Sequence, residues 1–164
     1  MATAVAANKF ERGLSMLEIL ITILVVSIGL LGLAGLQFAG LRAANGAQEH
    51  TLATLLAQDI EERIRANAGT PPASPNLAYN SISLDSTSSP AAVDCITASC
   101  SATQMADFDI YQWYRSIVPM AGDKPLLPNA AISISSTNGM DFQITIQWGD
   151  PSGPQSLITT FTTI

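Results

Sequence analysis

Gly13-Leu14-Ser15-Met16-Leu17-Glu18 leads without a break into Ile19-Leu20-Ile21-Thr22-Ile23-Leu24-Val25-Val26-Ser27-Ile28-Gly29-Leu30-Leu31-Gly32-Leu33-Ala34-Gly35-Leu36-Gln37-Phe38-Ala39-Gly40-Leu41. Those last 23 residues, Ile19 to Leu41, contain no Lys, Arg, Asp, Glu or His. As a helix they would extend about 35 Å, enough to cross a hydrocarbon layer of about 30 Å. A secretory signal peptide has an apolar stretch of only about 7 to 15 residues, so this run reads as a membrane anchor. Lys9 and Arg12 outnumber Glu11 ahead of it and bias the N-terminus toward the cytoplasm, a bias weakened by Arg42 on the far side. That topology puts the rest of the chain outside the cytoplasm, with one pass through the membrane.

Working outward from the anchor, residues 1–13 are polar and Ala-rich without periodicity, and read as a leader. On the other side the helical pattern continues: Leu52, Leu55, Leu56, Ile60 and Ile64 recur at three- and four-residue spacing, with Glu49, Asp59, Glu61, Glu62, Arg63 and Arg65 among the residues between them. One long helix, apolar all round over 19–41 and amphipathic over 42–67, accounts for both. Ala68-Gly69-Thr70-Pro71-Pro72 stops it close to Asn67, because the glycine favours a helix end and the prolines cannot continue one. The expected organisation is a leader at 1–13, a long helix at 14–69 and a head at 70–164.

Within the head, residues 70–102 are rich in Ser, Pro, Ala and Asn with no sustained pattern, and read as a long connecting loop. Residues 103–117 predict a short helix, with Met105, Phe108, Trp113 and Ile117 available for one face. The period then changes. Residues 131–135 and 140–148 alternate apolar and polar side chains, placing Phe142, Ile144, Ile146 and Trp148 on one face, and Asn138-Gly139 between them is a hairpin signal. A second turn at 149–154 leads into a third strand over 155–163. The fold class is therefore α+β: a long N-terminal transmembrane and amphipathic helix packed on a small antiparallel sheet of at least three strands.

Composition narrows the function classes. A net charge of -6, with few Lys or Arg in the head, excludes a broad phosphate-binding surface, so no nucleic-acid partner is expected. Cys95 and Cys100 are the only cysteines, and in a compartment that permits oxidation an even pair reads as a disulfide closing a small ring, the alternative being two free thiols. Two thiols and the one histidine, His50, make a poor zinc set. No cofactor is expected and no catalytic constellation is found, so the chain does not read as an enzyme.

The residue with the most to explain is Glu18. A carboxylate at the edge of a membrane helix costs a few kcal/mol if driven toward the bilayer centre, so it needs a partner or a functional reason. If a peptidase cut after Gly13, the new α-amino group on Leu14 would be cationic near neutral pH and would pair with Glu18 of a neighbouring chain in a low-dielectric helix bundle, setting the axial register. The bland alternative is an ordinary signal anchor whose interfacial glutamate happens to follow a glycine.

A short basic leader ending in Gly13, then Leu14-Ser15-Met16-Leu17-Glu18, then a long apolar helix, resembles the type IV prepilin signature. The resemblance implies cleavage after Gly13 and methylation of the Leu14 amine by a prepilin peptidase/N-methyltransferase. It implies assembly through Glu18, with other minor and major pilins, the inner-membrane assembly machinery and membrane lipid as partners. Leu14 stands where the family usually has phenylalanine, although other apolar residues are accepted there. A narrower resemblance, carried by Ile28-Gly29-Leu30-Leu31-Gly32-Leu33-Ala34-Gly35-Leu36 and Arg63-Ile64-Arg65-Ala66-Asn67, is to the PilV family of type IV pilus modification proteins. The strand Ile144-Thr145-Ile146-Gln147-Trp148 is similar too, and the loop is the least family-like region. Minor pilins of that kind are thought to form a priming or tip complex that starts pilus assembly and supports attachment and twitching motility. A type II secretion pseudopilin shares the same leader signature. An anchored periplasmic binding module is the remaining alternative, and it leaves the Gly13-to-Glu18 pattern unexplained.

Lesser candidates are Gly29, Gly32 and Gly35, whose small size favours either close helix packing or local softening of the anchor. Asp107 and Asp109 flank Phe108 and read as a solvated face rather than a cation site. His50 reads as solvated surface. Tyr111, Trp113 and Tyr114 at helical spacing read as core.

Overall fold

A computed structural model of the chain describes residues 15–67, 77–118, 125–150 and 153–163. Gly13 and Leu14, the expected cleavage pair, lie outside the described residues. The element order is α1 (Met16–Asn67), a 3-10 turn (Leu77–Tyr79), β1 (Ile82–Asp85), α2 (Ala102–Ile117), β2 (Ala131–Ser136), β3 (Asp141–Asp150) and β4 (Gly153–Thr162). The chain divides into two compact units, Met1–Ala44 and Asn45–Ile164, with the division inside α1.

In the first unit every described residue is exposed. The helix opens with the Ser15 carbonyl accepting from the Glu18 and Ile19 backbone N–H groups at 2.9 and 3.2 Å. Thr22 and Ser27 return their hydroxyls to the Ile19 and Ile23 carbonyls, so neither leaves a free donor on the apolar surface.

In the second unit the sheet is antiparallel throughout, in the order β1-β2-β3-β4. Alternation fixes its register. Phe142, Ile144, Ile146 and Trp148 of β3 face inward, and Ile132 and Ile134 of β2 continue that layer through Ile132↔Ile146 and Ile134↔Ile144. Residues 137–140 join β2 to β3. There Gly139 has φ 72°, and Asn138 accepts from the Met140 and Asp141 N–H groups at 2.9 and 2.7 Å. A second hairpin joins Asp150 to Gly153, the latter at φ 133° where a Cβ would be strained.

The C-terminal stretch of α1 and all of α2 supply the other half of the core. Ala53, Leu56, Ala57, Ile60 and Ile64 are buried in one cluster with Ala106, Ile110, Trp113, Tyr114 and Ile117 and with the inward face of the sheet. α2 begins with a capping box. Ser101 accepts from the Gln104 N–H at 3.3 Å, and the Gln104 side chain accepts from the Ser101 N–H at 2.9 Å.

Three expectations are corrected here. The long loop holds a fourth strand, β1, whose four residues show too short an alternation to be recognised. α2 turns a different face inward from the one expected: Trp113 and Ile117 are buried, but Met105 and Phe108 are only half-buried, their places taken by Ala106, Asp109 and Ile110. The small Ala106 permits the close approach that the larger residues would block. On α1, Leu55 points to solvent while the two alanines flanking Leu56 at positions 53 and 57 pack inside.

Cys95 and Cys100 form the expected disulfide. The ring is small, and the chain-entropy relation gives it about 2 kcal/mol at most. Replacing both cysteines by serine is expected to lower the unfolding free energy by about that amount or less. The check is urea unfolding of the detergent-solubilised chain with and without the bridge.

Candidate functional site: an unpartnered helix surface and the cluster that holds its base

The surface with no intramolecular role is the first unit of α1. Its best 18-residue window has a mean hydropathy of 2.7 and none of it is buried, so by length and composition the segment is able to cross a membrane. Leu17, Leu20, Ile23, Leu24, Leu31 and Leu36 are each more than half exposed, which in water is a large free-energy cost that only lipid or other helices remove. Glu18 lies in the first turn, exposed, and makes no ion pair among the described residues. Arg42 ends the segment, its guanidinium 4.5 Å from the centre of the Phe38 ring. Gly29, Gly32 and Gly35 are exposed, and a Cβ added to any of them meets nothing within 4 Å, so the chain itself does not require glycine there.

Where α1 enters the second unit, polar groups fix it. Trp148 Nε1 donates to Glu49 Oε2 at 3.0 Å, and the exposed His50 ring sits edge-on to Trp148 at 4.9 Å between centroids. His50 is thus solvated as expected, with one face on a core tryptophan. About two turns further along α1, Trp113 Nε1 donates to the Leu56 carbonyl at 2.8 Å, tying α2 to the C-terminal part of the helix.

The strongest polar constellation is one that sequence reasoning misplaced. Asp109 is buried, not solvated, whereas Asp107 is exposed as expected. Asp109 accepts from Arg63 Nη1 at 3.2 Å and from the Tyr79 hydroxyl at 2.6 Å. Arg63 Nε also donates to both oxygens of Asp59 at 3.1 Å. Asn67 completes the cluster, its Nδ2 donating to the Tyr79 oxygen at 3.1 Å and to the Ala102 carbonyl at 2.7 Å. The partners lie 46 and 30 residues from Asp109, so no local pattern announces them. The one available signal is the Arg63-Ile64-Arg65-Ala66-Asn67 run, which gives the end of α1 two cations and an amide.

Burial opposes the charge on Arg63, but hydrogen bonds and attraction from Asp59 and Asp109 outweigh it and hold the guanidinium above its ordinary pKa. Burial, then the hydrogen bond to Asp109, push the Tyr79 phenol well above its ordinary value. A phenol raised in the folded state keeps its proton while the unfolded chain loses it. The stability it contributes is intact below about pH 10 and falls as pH rises beyond that, by up to about 1.4 kcal/mol per pH unit. An alkaline unfolding series should show this slope, and Tyr79→Phe should flatten it. Among the described residues no buried side-chain polar atom lacks a hydrogen-bond partner, and no group of acids, cysteines or histidine that could hold a metal occurs.

A family model described as Tt1218-like, type IV pilin Tt1218, matches residues 35–111. Over that span the chain is similar to type IV pilins. The matched span runs from within the apolar segment of α1 through β1 and most of α2, and so includes the whole Arg63–Asp109–Tyr79 cluster. No curated protein and no solved structure matches the chain. The long apolar helix and the four-stranded antiparallel sheet are consistent with the α+β pilin fold. The exposed apolar part of α1 fits membrane anchoring.

Proposed function

We propose that this pilin-like chain is a minor pilin of the PilV kind, acting in the priming or tip complex from which a type IV pilus grows. The observation that carries the reading is the fully exposed apolar half of α1, which is continuous with a helix whose other half is built into a folded unit. Such a helix has two environments open to it, a bilayer and a bundle of like helices, and a subunit that passes from one to the other needs both. The leader is removed after Gly13 and the Leu14 amine is methylated, the apolar segment anchors the chain in the inner membrane, and the folded unit lies outside the cytoplasm. Glu18 then pairs with the amine of a neighbour as helices gather, and Gly29, Gly32 and Gly35 allow the anchor to bend or pack closely during that passage. In this role the protein supports twitching motility and attachment.

The test is deletion of the gene in its native host, with piliation, twitching and attachment scored together. Loss of surface pili, restored by the intact gene, is the expected result for a priming subunit. Normal pili with lost attachment would place the chain at the tip as a ligand-bearing subunit. Unchanged piliation, twitching and attachment, with a defect in protein secretion instead, would overturn the pilus assignment.

A further inference from the structure

From Ser15 to Gln48 only two side chains are ionisable, Glu18 near one end and Arg42 near the other. Both are exposed, and neither forms an ion pair among the described residues. They lie 24 residues apart, which on a straight helix is about 36 Å, close to the thickness of a bilayer's apolar core. The Arg42 guanidinium lies over the Phe38 ring, 4.5 Å from its centre and one turn back along the apolar segment. A guanidinium held over a ring still has N–H groups available to an acceptor, since the contact of its central carbon with the ring uses none of its five donors.

Two copies side by side at the same depth would set Glu18 against Glu18 and Arg42 against Arg42, a repulsive register in a medium that screens poorly. Displacing one copy outward along the helix axis by about one bilayer thickness brings its Glu18 level with Arg42 of the copy still anchored. We propose that Arg42 is the receiving site for Glu18 of a second copy of this chain, so that the carboxylate drawn through the membrane during assembly is met by a guanidinium at the outer face. The pair is bidentate in chemistry, and the attraction within it grows as lipid and neighbouring helices exclude water, while an unpaired charge there becomes costlier. Each oxygen of the Glu18 carboxylate has a second lone pair, so bidentate pairing with Arg42 leaves capacity for an amine from another neighbour. The inference deepens the filament reading and rests on it.

The experiment uses the full-length chain in its native host, with filaments sheared from cells and the chain measured in them by immunoblot. Glu18→Arg and Arg42→Glu alone should each reduce its recovery by about tenfold or more, and the double reversal should restore most of it. Because Glu18→Arg can also fail at processing, a cross-linking measurement accompanies it. Chains carrying Ile19→Cys and Leu41→Cys, expressed together and oxidised mildly, should give a 19-to-41 cross-linked dimer in excess of the 19-to-19 and 41-to-41 products. Wild-type protein present in filaments with only same-register cross-links, or with no rescue by the double reversal, would overturn the pairing and leave the filament reading intact. Wild-type protein absent from filaments would overturn the filament reading and, with it, the pairing.

Discussion

Trp113→Ala is expected to lower the unfolding free energy of the chain by about 4 kcal/mol, enough to leave the second unit marginally folded. The side chain is fully buried among residues of both helices and the sheet, so its removal leaves a large cavity that the close-packed surroundings fill only in part. The indole N–H is lost as well, and with it the bond to the Leu56 carbonyl. Trp113→Phe separates the two effects: it retains most of the volume and should cost about 1 to 2 kcal/mol, the share of the hydrogen bond and the smaller ring. Urea unfolding of the detergent-solubilised chain, followed by near-ultraviolet circular dichroism, reads both variants. A loss below about 1 kcal/mol for the alanine variant would mean that α2 does not anchor α1 in the way described.

The second large effect is at Asp109. Asp109→Ala leaves the Tyr79 hydroxyl buried without its acceptor and removes one of the two carboxylates that hold Arg63, and is expected to cost about 3 kcal/mol. Asp109→Asn keeps an acceptor and the volume while deleting the charge, and should cost roughly half as much. Adding Tyr79→Phe to Asp109→Ala removes the orphaned hydroxyl, so the double variant should be less destabilised than the sum of the two singles. Additivity would show that the hydroxyl and the carboxylate do not act on one another. The consequence reaches function, because the cluster joins the C-terminal end of α1 to α2 and to the turn before β1.

Much of this architecture is legible in the sequence because it repeats. The anchor is a run of uncharged residues, the second half of α1 has a helical period, and β2, β3 and β4 alternate around Asn138-Gly139 and Gly149-to-Pro154. What escapes is what does not repeat. β1 offers only Ile82 and Leu84 as alternating apolar positions, and its partner β2 lies about fifty residues away in the chain. The inward face of α2 is marked by Ala106 and Asp109, a small residue and an acid, neither of which carries an apolar signal. Asp109 is stable inside only because Arg63 and Tyr79 arrive from other elements, so its burial is a property of the tertiary structure. The candidate assembly residues were readable to a different degree. Glu18 stands out because a charge beside 23 uncharged residues is costly, whereas nothing in the sequence pattern sets the Arg42 guanidinium over the Phe38 ring.

The central claim is that this chain is a processed, pilin-like subunit whose apolar helix enters a filament, and the segment on which it turns is Gly13 to Glu18. Intact mass and N-terminal sequencing of the protein recovered from its native membrane and from sheared filaments test it most directly. The account predicts a chain that begins at an N-methylated Leu14. A chain that retains residues 2–13, or one cut after the apolar run, would contradict it.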